Sequence, residues 1–151
     1  MNGLVFVTAQ AADHRHANRL LLFLRDWDYG SGDRFRLVTS KNARDLDLPS
    51  DGSLVIATSS PPVDEALNNV WRGASVAEVE AYVLELAGDE SIKGVQTGIY
   101  ILVDDKGLQN RTCVVGERRY DVEAETTSDD FNKVRVPWNQ VYSMWCNLDS
   151  T

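Results

Sequence analysis

Cysteine is scarce: the 151 residues hold only Cys113 and Cys146, far apart and in no C-x-x-C pair. That excludes a disulfide framework and points to a reducing compartment. Histidine is equally scarce, with His14 and His16 as the only two. No H-E-x-x-H or G-x-S-x-G motif occurs, and Gly30-Ser31-Gly32 follows a helical pattern rather than opening one. No nucleotide, zinc or other cofactor is therefore expected. Positive charge is in deficit, with 15 Lys and Arg against 23 Asp and Glu for a net charge of −8. Nucleic acids and anionic membranes both need basic patches, so neither is expected as the main partner. No apolar run approaches the length of a transmembrane helix. The opening M-N-G-L-V-F-V-T lacks the basic start and long apolar stretch of a secretion signal. These absences lead to the expectation of a cytoplasmic protein.

What remains is sufficient for a core. A 43% hydrophobic fraction, 9% aromatic, can fold a chain of this size without metal or disulfide support. No repeat, low-complexity run or linker divides it, so residues 1–151 are expected to form a single domain.

Leu4–Thr8 is a short continuous apolar run, which suits a strand covered on both faces. Asp13 stands where a helix N-cap would, and Ala17, Leu20, Leu21, Leu24 and Trp27 follow at helical spacing. Leu22 and Phe23 widen that apolar face, so this helix is expected to be buried on more than one side. Phe35–Thr39 and Leu54–Thr58 read as further strands, with a short helical turn over Asn42–Leu46 between them. Ser60-Pro61-Pro62 opens a helix that carries Val63, Ala66, Leu67, Val70 and Trp71 on one face. Ser75 and Glu78 form a capping box for the next helix, with Val76, Val79, Val83 and Leu86 behind it.

The second half changes character. Thr97–Val103 is a strong strand, Asp104-Asp105-Lys106-Gly107 a turn, and Arg111–Val115 an antiparallel return. Tyr120, Val122 and Ala124 alternate with acids, Thr126–Asp130 reads as a polar loop, and Val134–Val136 runs through Pro137 into an amphipathic helix. The expected fold class is α/β, bordering on α+β. It is a mixed sheet with helices packed on it, parallel-leaning at first and antiparallel in the second half.

Chemistry-bearing residues gather in three places. Asp13, His14 and His16, with Arg19, sit between a strand and a helix, where open α/β sheets hold ligands. There they serve either as solvated helix-start residues or as an acid/base and anion site. Asp104 follows a buried strand, where it is either turn chemistry or a ligand group. On the last helix Trp138, Asn139 and Tyr142, with Arg135 ahead of them, either pack as core or line a cleft that stacks a flat ligand.

The run I-Y-I-L-V-D-D-K-G-L, then T-C-V-V-G, then V-R-V-P-W and a closing N-L resembles a family of small actinobacterial and fungal proteins classed as a domain of unknown function. The matching positions are Val103-Asp104, Cys113–Val115, Val134–Pro137 and Asn147-Leu148. The resemblance lies in the second half only. It implies a self-contained intracellular domain and no particular activity. Two functions are expected in competition. One is a binding domain for a small molecule or a protein partner. The other is a cofactor-independent cyclase, isomerase or hydrolase with a histidine as acid/base. Any site is expected in a cleft between the helix start at His14–His16 and the last helix.

Overall fold

β1 (Asn2–Val7) is buried along its whole length, as a strand covered on both faces must be. Its side chains alternate, with Val5 and Val7 entering one apolar layer and Leu4 and Phe6 the other. The computed structural model describes residues 2–27, 30, 32–42, 58–63, 68–92 and 94–149. Within these residues the further strands are β2 (Phe35–Leu37), β3 (Val95–Val103), β4 (Thr112–Asp121) and β5 (Thr126–Pro137). They join β1 in one sheet of order β2-β1-β3-β4-β5. β1 is parallel to β2 and β3, whereas β3–β4 and β4–β5 are antiparallel. The fold is therefore α/β with a mixed sheet, parallel in the first half and antiparallel in the second.

Helices cover both faces. α1 (His14–Leu24) and α4 (Trp138–Asp149) lie on one side, α2 (Val76–Gly88) lies on the other, and α3 (Asp105–Asn110) links β3 to β4. Beneath α1 and α4, Ala17, Leu20, Leu24, Val141 and Trp145 meet Val5, Ile99, Ile101 and Val115 of the sheet. Beneath α2, Val79, Val83 and Leu86 meet Leu4, Phe6 and Leu102. Each such large apolar side chain contributes about 1.5–3 kcal/mol on burial. Phe6, Trp71 and Tyr82 pack edge-to-face, with Phe6–Trp71 centroids 5.1 Å apart.

The caps follow the sequence. Asp13 accepts N–H bonds from Arg15 and His16 at the start of α1, and Ser75 and Glu78 form the expected reciprocal box on α2. Pro137 ends β5 and α4 begins at the next residue.

The structure corrects five local expectations. Asp104-Asp105-Lys106-Gly107 is not an open turn: Asp104 caps α3, and its Oδ1 accepts from Gly107 N–H at 2.7 Å. Gly107 is required there, because a Cβ would stand 2.4 Å from the Thr112 carbonyl oxygen. Thr126–Asp130 is strand rather than loop, since it pairs across the hairpin with β4, and the turn lies at residues 122–125. α1 stops at Leu24, so Trp27 is outside it. Leu22 and Phe23 are not buried but 42% and 36% exposed, because Ala17, Leu20, Leu21 and Leu24 already fill the face that meets the sheet. The expected Val63–Trp71 helix does not reach its far end, because residues 68–73 are non-helical. Trp71 is buried there in a turn, its indole N–H donating to the Ser40 carbonyl at 3.3 Å. Residues 64–67 of that reading, 54–57 of the third strand and 43–46 of the short turn lie outside the described residues.

Candidate binding surface

β1 lies between β2 and β3, so the chain departs from it in both directions. The crevice beyond its C-terminal end is where such sheets place ligands. Here the crevice is filled. Thr8 and Ala9 donate N–H bonds to the Val103 carbonyl, and Gln10 N–H donates to Asp105 Oδ1 at 2.8 Å. From the far side Asn69 Nδ2 donates to the Val7 carbonyl, Arg72 to the Ala12 carbonyl and Gly73 N–H to the Thr8 carbonyl. The remaining space, bordered by Val7, Ala12, Asp13, Leu37 and Arg72, is about 10 Å³, enough for one water at most.

Asp13 and His16 serve the helix start. His16 Nδ1 accepts from Asp13 N–H at 3.1 Å, taking the place a Glu or Gln occupies in a capping box. The bond from His16 N–H to the Asp13 carboxylate, with a second from Arg15 N–H, holds that carboxyl below its ordinary pKa. His16 Nδ1 also lies 3.0 Å from Asp13 Oδ1. His14 is half-buried, and Arg19 points outward from the same helix. The crevice and these side chains are adjacent, but they enclose no cavity of ligand size.

Asp104 and Arg135 are brought together. Arg135 grips Asp104 through two N–H···O bonds of 3.0 and 2.7 Å and adds a third to Thr112 Oγ1 at 3.0 Å. The sheet register sets this contact by placing Val114 between Leu102 of β3 and Arg135 of β5. The Arg135 bonds lower the Asp104 pKa, and Asp104 in turn raises that of Arg135. Cys113 lies buried behind this clasp, and burial pushes its thiol well above the ordinary value, so it carries no thiolate for nucleophilic chemistry near neutrality. Trp138 is buried and donates from Nε1 to the Thr112 carbonyl at 2.9 Å. Tyr142 is half-buried against Phe35 and Trp145. Of the aromatic and amide residues expected on α4, only Asn139 is fully exposed. It borders a shallow, open depression of about 520 Å³, of mixed polar and apolar lining, shared with Arg135, Gln140, Ser143, Met144 and Asn147. Among the described residues no group of three His, Cys, Asp or Glu is gathered to hold a metal ion.

Asn139 also borders a second, more apolar groove of about 380 Å³, formed with Leu22, Phe23 and Trp27. Trp27 is 65% exposed, and two contacts tether it. Its indole N–H donates to the Leu22 carbonyl at 2.8 Å, and the Arg25 guanidinium lies 5.1 Å from its ring centroid. Arg25 is itself held by Asp33 at 3.0 Å. Phe23 rests edge-on against Trp138 at 5.7 Å, so the groove floor is continuous with the core. This is an exposed aromatic with its rotamer already chosen, the type of group that anchors protein interfaces. The sequence signal that could have found it is L-L-L-F-L at 20–24. A helix lying on a sheet buries one stripe, so an unbroken apolar run must turn some of its members outward.

No family model matches this chain, and neither a curated protein nor a solved structure does.

Proposed function

We propose that the chain is a non-catalytic, cytoplasmic binding domain that docks a protein partner on the outward face of α1. The observation that carries the reading is Trp27, exposed, aromatic and tethered by a hydrogen bond and a guanidinium contact beside Leu22 and Phe23. Ordering such a group costs little on binding, because its conformation is already set. The groove volume, about 380 Å³, lies at the small end of the roughly 300–1,000 Å³ typical of small-molecule sites. Its open apolar shape suits a few side chains of a partner better than an enclosed metabolite. A histidine-based enzyme gains less support, because His16 Nδ1 is engaged in the cap and the crevice beside it is filled. The four-residue set Asn139, Gln140, Ser143 and Asn147 would form a polar rim to the same face.

The test is photo-crosslinking in cells from a benzoylphenylalanine placed at Phe23, with Ala81 on α2 as the control position. The reading expects discrete adducts from position 23 that vanish with Trp27→Ala. Identical patterns from both positions would sink it.

A further inference from the structure

We infer that the α1 face receives the tip of the β4–β5 hairpin of a second copy of this chain. The inference rests on the reading of α1 as a docking face and names the partner. β3 pairs with β4 no further than Ile99↔Glu117. Beyond that point β4 and β5 continue, paired with each other through Asp121↔Thr126. The result is an arm that outgrows the sheet. Residues 117–130 carry six acids against Arg118 and Arg119, a net −4 out of the chain's −8. Both arginines are already engaged, Arg118 with Asp129 at 3.1 Å and Arg119 with Asn132 at 2.6 Å. At the tip Tyr120 and Val122 are 62% and 77% exposed, beside Asp121, Glu123 and Glu125. The tip is held in shape: Asp121 Oδ1 accepts from the N–H groups of Glu123 and Ala124 at 3.0 and 3.1 Å, and Glu125 closes the turn at φ 54°. It is a preformed knob of two apolar side chains flanked by carboxylates.

α1 presents the converse. Arg15, Arg19, Leu22 and Phe23 recur at helical spacing on its outward side, and no acid occurs from His14 to Arg25, although Arg15 lies 3.6 Å from the Asp13 carboxylate at the helix cap and Arg25 is paired with Asp33. Arg19 is exposed and makes no ion pair among the described residues. Apolar knob meets apolar groove while carboxylates meet guanidinium groups, and that charge arrangement fixes the orientation of docking. The two surfaces differ, so the contact is head-to-tail. Made reciprocally by two copies it closes a two-fold dimer, and made in one direction it generates open chains or rings. A knob this small buries less than the roughly 1,200 Å² of a stable complex, so the association is weak and sensitive to salt.

Analytical ultracentrifugation of the full chain tests this. The wild type should show a mass above the 16.9 kDa monomer that rises with protein concentration from micromolar to millimolar. It should fall back to the monomer at about 1 M salt, where the screening length is about 3 Å. A groove variant, Leu22→Ser with Trp27→Ser, and a tip variant, Tyr120→Ser with Val122→Ser, should each be monomeric alone. Mixed in equal amounts they should form a one-to-one dimer and nothing larger, because one retains the knob and the other the groove. Should either pair lose its fold by circular dichroism, Arg19→Glu and Glu123→Lys replace it: each alone should be monomeric, and the mixture should associate again, because it restores the native contact and also sets Glu at 19 against Lys at 123. A wild type that stays monomeric throughout, a tip variant that associates as the wild type does, or a mixture without dimer overturns the inference. A monomeric wild type that still gives Phe23 crosslinks to other proteins sinks the self-association alone, whereas absence of position-specific crosslinks sinks the docking reading as well.

Discussion

β1 and β5 are the two extremes of one sheet. All six residues of β1 are buried, whereas β5 buries only Phe131 and Val136 of its twelve. β1 sits between parallel neighbours with α1 and α4 below and α2 above, so Leu4, Val5, Phe6 and Val7 each pack into one layer or the other. β5 is an edge strand that runs out beyond its support, with Asp129, Asp130 and Lys133 along it. Charges on an edge strand discourage indiscriminate strand pairing. The parallel half holds the fold together, and the antiparallel arm is free to carry charge and exposed side chains.

That contrast predicts where substitutions hurt. Phe6→Ala, in the fully buried strand, should cost about 3–5 kcal/mol in urea unfolding. Gly116→Val strikes where the halves meet. A Cβ there would stand 2.2 Å from the Tyr100 ring, which lies across β4 against Phe131, so overpacking should cost about 1–3 kcal/mol. Tyr100 also donates to Glu80 at 2.7 Å, and burial with that carboxylate keeps the phenol protonated throughout the accessible range. A Gly116 variant as stable as wild type would mean that the arm can shift without disturbing this junction.

The clasp between Asp104 and Arg135 ties β5 back to the end of β3, and it ranks next. Asp104→Asn removes charge-assisted bonds from a partly exposed site and should cost about 1–2 kcal/mol after allowance for solvent. Its pH dependence has a definite sign. The Arg135 bonds depress the folded-state pKa of Asp104, so the stabilisation is complete above the unfolded value of about 3.9. It is lost as pH falls through the lower folded value. The wild-type melting temperature should therefore fall more steeply than that of Asp104→Asn as pH drops below about 4, and parallel curves would contradict the clasp. The smallest effect belongs to the arm. Val122→Ser should change stability by no more than about 0.5 kcal/mol, as for other exposed positions, so a larger loss would mean that the tip packs on its own molecule.

Much of the fold is legible in the chain because it is written in local periodicity. The runs at β1 and β3, the stripes of α1, α2 and α4, the caps at Asp13 and Ser75 and the handover at Pro137 all follow from neighbours within a few residues. The corrections arise where distant partners decide. Thr126–Asp130 is polar enough for a loop and becomes strand only because β4 lies opposite. Asp104-Asp105-Lys106-Gly107 has turn composition, but Asp104 is drawn into a cap and held by Arg135, 31 residues away. The candidate surface is the least legible part. Spacing shows that L-L-L-F-L is helical, but only the packed sheet decides that Leu22 and Phe23 are surplus to the buried stripe.

The central contrast is tested most directly by hydrogen exchange of backbone amides, followed at two protein concentrations. At low concentration, β1 and β3 amides should exchange only on global unfolding, while residues 118–130 exchange faster by orders of magnitude. At high concentration, added protection should appear at the arm tip and around residues 22–27 and nowhere else. An arm as protected as β1, with no dependence on concentration, would contradict the account.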